Sequence, residues 1–153
     1  MKITNDNLKE KYDHIYKSGA YKNFFTFNPY DILKAILDKI DDWDGLSVLD
    51  IGCGEGDLAA MMSIAGAKKV RGIDYSIKAI NISNERHNFE NLSFDCVDGR
   101  DVCELYDVIV MAGVLEHIDD PFLMLNNLIK NNLRRNGVLI TASPSFLNPR
   151  GYV

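Results

Sequence analysis

Apolar and polar residues follow two rhythms that take turns along this chain. Short apolar runs are typical of buried strands, and apolar residues that recur every three or four positions are typical of amphipathic helices. The runs predict five strands, at Ser47–Ile51, Lys69–Ile73, Leu92–Val97, Asp107–Ala112 and Val138–Ala142. Strands that alternate with helices favour an α/β fold, with a doubly wound, mostly parallel open sheet of the Rossmann-like kind.

The N-terminal part of the chain has only the helical rhythm. We therefore predict a helical cap over residues 1–45 in front of an α/β core over residues 46–153. The first predicted helix has large side chains at helical spacing, namely Leu8, Tyr12, Ile15 and Tyr16. The second begins with Asn28 as N-cap and Pro29 as the first helical residue, and it carries one apolar stripe, Ile32, Leu33, Ile36, Leu37 and Ile40.

Capping residues predict where the helices of the core begin. Asp57, Ser76 and Asp120 each precede a helical pattern, and their side chains can accept a hydrogen bond from the first turn. Asn136 and Gly137 are typical turn residues, and they predict a turn just before the fifth strand.

Composition narrows the class of protein without identifying it. Hydrophobic residues make up 46 % of the chain, charged residues 25 %, and the formal net charge is −5. The acidic balance makes binding to nucleic acid unlikely, because that needs a basic surface. Neither a signal peptide nor an apolar stretch long enough for a membrane span is visible, which favours the cytoplasm. The cysteines have no spacing typical of a disulfide framework or a zinc site: Cys53, Cys96 and Cys103.

The central feature is the glycine-rich segment after the first predicted strand, VLDIGCGEG. Gly52, Gly54 and Gly56 allow a tight turn and a close approach of the backbone to a ligand. Asp50 precedes this turn, and its carboxylate would repel a pyrophosphate. S-adenosylmethionine carries a sulfonium and an ammonium against one carboxylate, so its net charge is positive. The segment therefore favours this cationic nucleoside over a dinucleotide.

Two further aspartates follow neighbouring strands at the same predicted edge of the sheet. Asp74 ends the second strand, where a carboxylate can accept both hydroxyls of a ribose. Asp98 follows the third strand, where it can accept a hydrogen bond from an adenine amino group. Each also has a purely structural interpretation, since Asp98 and Gly99 can form a turn and Asp50 can cap a helix.

These segments together resemble class I S-adenosylmethionine-dependent methyltransferases, in the small-molecule branch that includes quinone-biosynthesis and sugar methyltransferases. VLDIGCGEG is similar to the first motif of that family, GIDYS to its acidic second-strand motif, and VIVMAGVLEHIDDP to its fourth-strand region. The resemblance covers residues 46–142.

The resemblance implies a set of cofactor contacts, with S-adenosylhomocysteine as the product. Gly52, Cys53 and Gly54 would lie along the methionine moiety, with Ala112 and Gly113 approaching it from the fourth strand. Asp74 would hold the ribose, Tyr75 would lie along the adenine, and Asp98 and Gly99 would reach its edge. Tyr12 or Tyr16 would close the pocket, although helix packing explains these tyrosines equally well.

The pair Glu116 and His117 is the candidate for catalysis. An imidazole can accept a proton from a hydroxyl or amine nucleophile near neutral pH. Many methyl transfers need little beyond alignment, so these two residues can instead simply shape the loop. Some members of the family bind a divalent metal through a second glutamate three residues earlier. That position is Gly113 here, and we predict no metal.

The chain also departs from the family that it resembles. The complete fold has seven strands, the last two of which form an antiparallel hairpin, whereas only five are predicted here. Without this hairpin the fifth strand would be an exposed edge of the sheet, which proteins normally avoid. We expect a fragment of a longer enzyme, a partner such as a homodimer that covers this edge, or a reduced domain that binds cofactor without turnover.

Three other functions compete with methyl transfer to an oxygen, nitrogen or carbon of a small molecule. A nicotinamide-dependent oxidoreductase is disfavoured by Asp50 and by the glycine spacing. A non-catalytic binding or scaffold domain is compatible with the missing strands. A nucleic-acid methyltransferase is suggested weakly by Asn28-Pro29-Tyr30, but the place for such a motif after the fourth strand contains Met111-Ala112-Gly113-Val114 instead.

Overall fold

The computed structural model describes Glu10, His14 and residues 29–143. Within them, a parallel sheet of five strands has the order β3-β2-β1-β4-β5. The strands are β1 (Ser47–Ile51), β2 (Lys69–Asp74), β3 (Leu92–Cys96), β4 (Tyr106–Ala112) and β5 (Leu133–Ala142). The helices are α1 (Pro29–Leu37), α2 (Asp57–Ile64), α3 (Ile77–Arg86) and α4 (Pro121–Asn131), with short 3₁₀ turns at Gly99–Asp101 and Leu115–His117.

The strand order confirms the predicted doubly wound α/β fold. β1 pairs with β2 on one side and with β4 on the other, so that Ile51 lies level with both Ile73 and Met111. The chain winds outward through β2 and β3 and then returns to start β4 on the opposite side of β1. Ligands of such sheets bind at this switch point, beyond the carboxyl ends of the strands.

Two hydrophobic clusters cover the two faces of the sheet. One joins Val48 and Val108 to α2 through Met62 and to the N-terminal part through Ile36 and Trp43. The other joins Leu49, Ile109 and Met111 to α4 through Met124 and Leu128. Because successive strand residues point to opposite faces, β1 contributes to both clusters, and all of its residues except Ser47 are buried.

The structure confirms two of the predicted helix caps and corrects the third. Ser76 accepts a hydrogen bond from the Ala79 amide, and Asp120 accepts one from the Leu123 amide. Asp57 is the first residue of α2, and its N-cap is Gly56 in a left-handed conformation with φ 85°. The helix therefore begins one residue earlier than predicted, because Gly56 itself forms the junction between the glycine turn and α2.

Smaller differences occur at both ends of the described region. α1 begins at Pro29 as predicted, while its predicted cap Asn28 lies outside the described residues. The helix ends at Leu37, which leaves Ile40 beyond it. The predicted first helix is described only at Glu10 and His14, which are both helical.

The fifth strand is longer than predicted, because Asn136 and Gly137 form a bulge inside it rather than a turn before it. β5 begins at Leu133, and its register against β4 shifts between Tyr106 and Val108. Asn136 has φ 66°, and a Cβ on Gly137 would lie 2.8 Å from the Asp107 carbonyl oxygen. A turn-forming dipeptide can therefore stay within a strand when the neighbouring strand lets it bulge.

β5 forms one edge of the sheet as described, since its only partner among these strands is β4. Its Val138 is 41 % exposed. The search for membrane spans among the described residues finds no helix with the length and apolarity required.

Candidate functional site

The glycine loop, which we define as Gly52–Gly56, leaves β1 and turns sharply into α2. Gly52, Gly54 and Gly56 all have positive φ, at 73°, 56° and 85°. The amides of Gly52 and Cys53 both donate to the Ile73 carbonyl, at 2.8 and 3.0 Å. The first half of the loop is therefore held against the end of β2 by backbone hydrogen bonds.

Gly52 lies where the loops after β1 and β4 meet. A Cβ at this position would be 2.4 Å from Cγ2 of Val114. The positive φ and this contact both restrict the position to glycine. The two strand ends at the switch point thus pack directly against each other.

Asp50 is the penultimate residue of β1, just before this loop, and it is the most unusual polar residue of the site. Its side chain is only 1 % exposed, and its Oδ2 atom has no hydrogen-bond partner among the described residues. Burial, and secondarily the negative charge of Asp74, raise the pKa of Asp50 to about 7. Such a group is stable only when it holds a proton or faces a positive charge.

Asp74 connects the ends of β1 and β2. One carboxylate oxygen accepts the Gly54 amide at 3.0 Å, and the other accepts the Ser76 amide at 2.8 Å. A carboxylate has about four acceptor positions and is the kind of group that can accept the hydroxyls of a ribose. Its role towards a ligand remains a prediction.

Tyr75, Asp98 and Arg100 form a small polar cluster after β2 and β3. The Asp98 carboxylate is paired with the guanidinium of Arg100 and also accepts the Arg100 amide at 2.9 Å. Although burial opposes its ionisation, the hydrogen bonds from Arg100 hold the pKa of Asp98 below its usual value. Burial, together with hydrogen bonding to Asp98, raises the pKa of Tyr75 to about 12.

This cluster differs from the arrangement predicted for an adenine contact. Asp98 caps the 3₁₀ turn at Gly99–Asp101 and already has a cationic partner, Arg100, which the sequence analysis did not consider. Gly99 itself is buried, and a Cβ there would lie 2.9 Å from Cε of Met124. Both residues do lie at the carboxyl end of β3, as predicted.

The end of β4 brings the remaining candidates to the same edge. Gly113 has φ 70°, and its amide donates to the Ala142 carbonyl at 2.7 Å, directly after Ala112. Glu116 and His117 are exposed on the 3₁₀ turn that follows. They are therefore accessible to a ligand that reaches this loop, and their catalytic roles remain predictions.

Two of the predicted contacts lie outside the described residues, Tyr12 and Tyr16. Cys53 is part of the glycine loop, and burial together with the charges of Asp50 and Asp74 raises the pKa of its thiol well above the usual value. A thiol that stays protonated is a packing group and not a nucleophile.

The side chains that hold the second half of the glycine loop were not predicted from the sequence. Glu55 and Asp57 form ion pairs with Arg86, the last residue of α3, and the Asp57 contact is 3.0 Å. Nε2 of His87 lies 3.1 Å from the same Asp57 oxygen. These partners are about thirty residues apart, so no local pattern in the sequence indicates them.

Cavity size does not point to this edge of the sheet. A cleft of about 400 Å³ lies at the opposite end, beside Lys68, Glu90 and Asn91. A smaller one of about 190 Å³ lies between the 3₁₀ turn after β3 and α4, beside Arg100 and Asn127. The unsatisfied carboxyl and the concentration of strand-end loops are better indicators, because they require a partner, whereas a polar groove is satisfied by water.

Comparison with known proteins identifies the family and the fold. Residues 42–149 match a family model described as a methyltransferase domain. The ubiquinone biosynthesis O-methyltransferase of Neisseria meningitidis serogroup C is 31 % identical over 147 residues, which cover 90 % of this chain and 59 % of that protein. The chain thus spans about three fifths of this curated relative.

Solved structures agree on the fold. The complex of DhpI with SAH has a TM-score of 0.71 at 25 % identity and covers 93 % of this chain and 72 % of that chain. The structure of SpnF, described as a [4+2]-cyclase, has a TM-score of 0.76 at 18 % identity and covers 92 % of this chain and 60 % of that chain. The second likeness indicates that this fold alone does not determine the reaction.

Proposed function

This chain belongs to the methyltransferase domain family, and on that premise we propose that it binds S-adenosylmethionine at the carboxyl ends of β1 to β4 and transfers a methyl group to a small molecule. The family match agrees with the resemblance to class I enzymes noted in the sequence. The chemistry of this edge, and not the fold, supports the choice of cofactor.

One observation carries the proposal, which is the buried Oδ2 of Asp50 without a hydrogen-bond partner among the described residues. The charged side chain that most affects this carboxyl is another carboxylate, Asp74. A pyrophosphate would add further negative charge to the pair, while a cation relieves it. These residues therefore fit the positively charged S-adenosylmethionine and not a dinucleotide.

The proposed division of work follows from what each residue offers. When bound, the cofactor supplies a methyl group on a positively charged sulfur. Asp74 binds the ribose, while Tyr75 and the segment Asp98–Gly99 contact the adenine. The glycine loop and the segment Ala112–Gly113 provide the backbone surface for the methionine part.

For the acceptor, we propose a hydroxyl of a small organic molecule. The support is the Neisseria relative, which is named an O-methyltransferase of ubiquinone biosynthesis. His117 would take the hydroxyl proton and Glu116 would orient the imidazole, since both are exposed at the end of β4. Alignment of the acceptor against the methyl group supplies the rest of the rate enhancement.

Calorimetric titration tests cofactor binding and its cause. At pH 8 the protein is titrated with S-adenosylmethionine, with S-adenosylhomocysteine, which lacks the sulfonium charge, and with NAD. We expect the first two to bind and NAD not to bind. Asp50→Asn should weaken binding of S-adenosylmethionine more than binding of its uncharged product. Binding of NAD, or of no nucleoside at all, would reject the proposal.

Asp74→Ala tests the ribose contact in the same titration. We expect it to weaken both adenosyl compounds by about 1–3 kcal/mol, the cost of losing hydrogen bonds to a charged group. Unchanged affinity would remove Asp74 from the binding site.

Methyl transfer itself is measured with labelled cofactor and a panel of phenols, alcohols and amines. We expect transfer to a hydroxyl, reduced by about a hundredfold or more by His117→Ala, the lower range of general base catalysis. Binding of cofactor with no transfer to any acceptor would favour a non-catalytic binding domain.

A further inference from the structure

We infer that Arg86 and His87, at the end of α3, are positioning residues that set cofactor affinity by holding the second half of the glycine loop. This inference rests on the proposed function of the loop. It concerns side chains outside the loop that contact it through Glu55 and Asp57.

The two halves of the loop are held in different ways. The first half is tied to β2 by the amides of Gly52, Cys53 and Gly54. The second half has a backbone bond from the Gly56 amide to the Cys53 carbonyl at 2.9 Å, and its helix cap Gly56 has no side chain with which to bond. Its long-range side-chain contacts come from the end of α3 and from β3.

Arg86 bridges the two carboxylates that flank Gly56. Its Nη1 pairs with Glu55, and its Nη2 lies 3.0 Å from Oδ1 of Asp57. His87 adds a second contact to the same Asp57 oxygen at 3.1 Å. The side chains of Glu55 and His87 are only 17 % and 15 % exposed, whereas Arg86 and Asp57 are each 43 % exposed, so solvent screens the Arg86–Asp57 pair more than the Arg86–Glu55 pair.

We call the contacts of Arg86 and His87 with Glu55 and Asp57 the clamp. Phe94 of β3 lies beside both Gly56 and His87. A Cβ on Gly56 would lie 2.5 Å from Cζ of Phe94, and the His87 ring is centred 6.3 Å from the Phe94 ring. The loop thus packs against the Phe94 ring and is also held by the clamp. Loss of the clamp leaves the packing against Phe94, so we expect a looser loop and not an unfolded protein.

Arg86 also balances charge near the proposed pocket. Glu55 lies in the glycine loop and Asp57 directly follows it, and the Arg86 guanidinium neutralises part of the charge of these two carboxylates. Removal of Arg86 would therefore have two separable effects. A looser loop weakens charged and uncharged ligands equally, whereas extra negative charge favours the cation alone.

The experiment compares Arg86→Gln with wild type in titrations with S-adenosylmethionine and S-adenosylhomocysteine. We expect both affinities to fall by a similar factor of about ten, the equivalent of one charge-assisted hydrogen bond. Arg86→Lys should recover only part of this, because an ammonium cannot bridge two carboxylates as a guanidinium does. In turnover assays, the KM for the cofactor should rise while kcat stays unchanged.

Arg134→Gln is the matched control, since Arg134 is an exposed arginine paired with Asp107 at 3.5 Å near the opposite end of the sheet. It should leave both affinities unchanged. Glu55→Gln should weaken binding like Arg86→Gln, and the double variant should be no weaker than either. This set still decides the question if Arg86→Gln does not fold.

The outcomes separate this inference from the proposed function. If wild type binds neither adenosyl compound, the proposed function fails. If wild type binds both and Arg86→Gln and Glu55→Gln bind equally well, only the clamp is rejected. A rise in affinity for S-adenosylmethionine alone would also reject the clamp, since it would assign Arg86 a purely electrostatic effect.

Discussion

Two aspartates on neighbouring strands, Asp107 of β4 and Asp50 of β1, have opposite environments. Oδ2 of Asp107 accepts hydrogen bonds from the amide and hydroxyl of Ser47 at 2.9 and 2.6 Å, and these bonds lower the pKa of Asp107 despite some desolvation. Asp50 is more deeply buried and has a raised pKa, and its Oδ2 atom has no hydrogen-bond partner among the described residues. Asp107 is thus satisfied within the protein, while Asp50 fits a positively charged partner from outside it.

The two ends of the sheet also differ in their side-chain hydrogen bonds and in their backbone conformation. Near the amino end, the Asn91 amide donates to the Ser63 and Ala67 carbonyls and accepts from the Ser63 hydroxyl. At the carboxyl end, the backbone turns through positive φ at Gly52, Gly54, Gly56 and Gly113. We propose that the amino end mainly contributes stability and that the carboxyl end is arranged for binding at some cost in stability.

The largest expected effect is the pH dependence of stability due to Asp50. Folding raises the pKa of Asp50 from 3.8 to about 7, so the folded state holds this proton more tightly than the unfolded state does. The free energy of unfolding should therefore fall as pH rises from 4 to 7, by at most about 4 kcal/mol.

In Asp50→Asn this contribution should be absent. Denaturant unfolding of both proteins at pH 4, 5.5 and 8 measures it as the difference between the two curves. If that difference does not change with pH, Asp50 is not buried as an unpaired carboxyl.

Gly52→Ala should break the switch point itself. The new methyl group would overlap Val114, and alanine is strained at this φ, which together cost about 3 kcal/mol. We expect a lower melting temperature and loss of cofactor binding. Val114→Ala in the same chain should recover part of the stability by relieving the overlap, and no recovery would mean that the backbone strain dominates.

Asp107→Ala should act at the other end and only on stability. It leaves the Ser47 amide without its acceptor, which costs about 2 kcal/mol at neutral pH. Because the pKa of Asp107 is lowered by folding, this loss should be full above pH 4 and shrink as pH falls further. Cofactor affinity should stay unchanged, and a change would contradict the division between the two ends.

Arg134→Gln should have the smallest effect, below about 0.5 kcal/mol on the free energy of unfolding, because its ion pair is long and exposed. Thermal and denaturant unfolding check this. A larger loss would mean that Asp107 depends on Arg134 and not mainly on Ser47.

The sequence was a reliable guide wherever a local cause decided the structure. Apolar runs predicted all five strands, and Ser76 and Asp120 capped their helices as expected, because each cap contacts residues only three positions away. The order of strands and loops predicted that the glycine turn and the strand-end aspartates lie at the carboxyl edge of the sheet, and they do. It also predicted the family, since those spacings are themselves local.

Prediction failed where the deciding contact came from a distant part of the chain. Asp57 is not a cap, because α2 begins one residue earlier than predicted, with Gly56 as its N-cap, and the Asp57 carboxylate contacts Arg86 and His87. Asn136 and Gly137 bulge within β5, because β4 provides a pairing partner on either side of them. Arg100 was overlooked as the partner of Asp98.

By itself, the order of apolar and polar residues determined the strands, their connections and the acidic character of the binding edge. These depend on side-chain periodicity and on contacts within a few residues. Only the tertiary structure decided which carboxyl would be left unpaired and which groups would hold the loop. Burial and long-range pairing exist only after the strands have come together. They decide whether an aspartate stabilises the fold through hydrogen bonds or is left suited to bind a ligand.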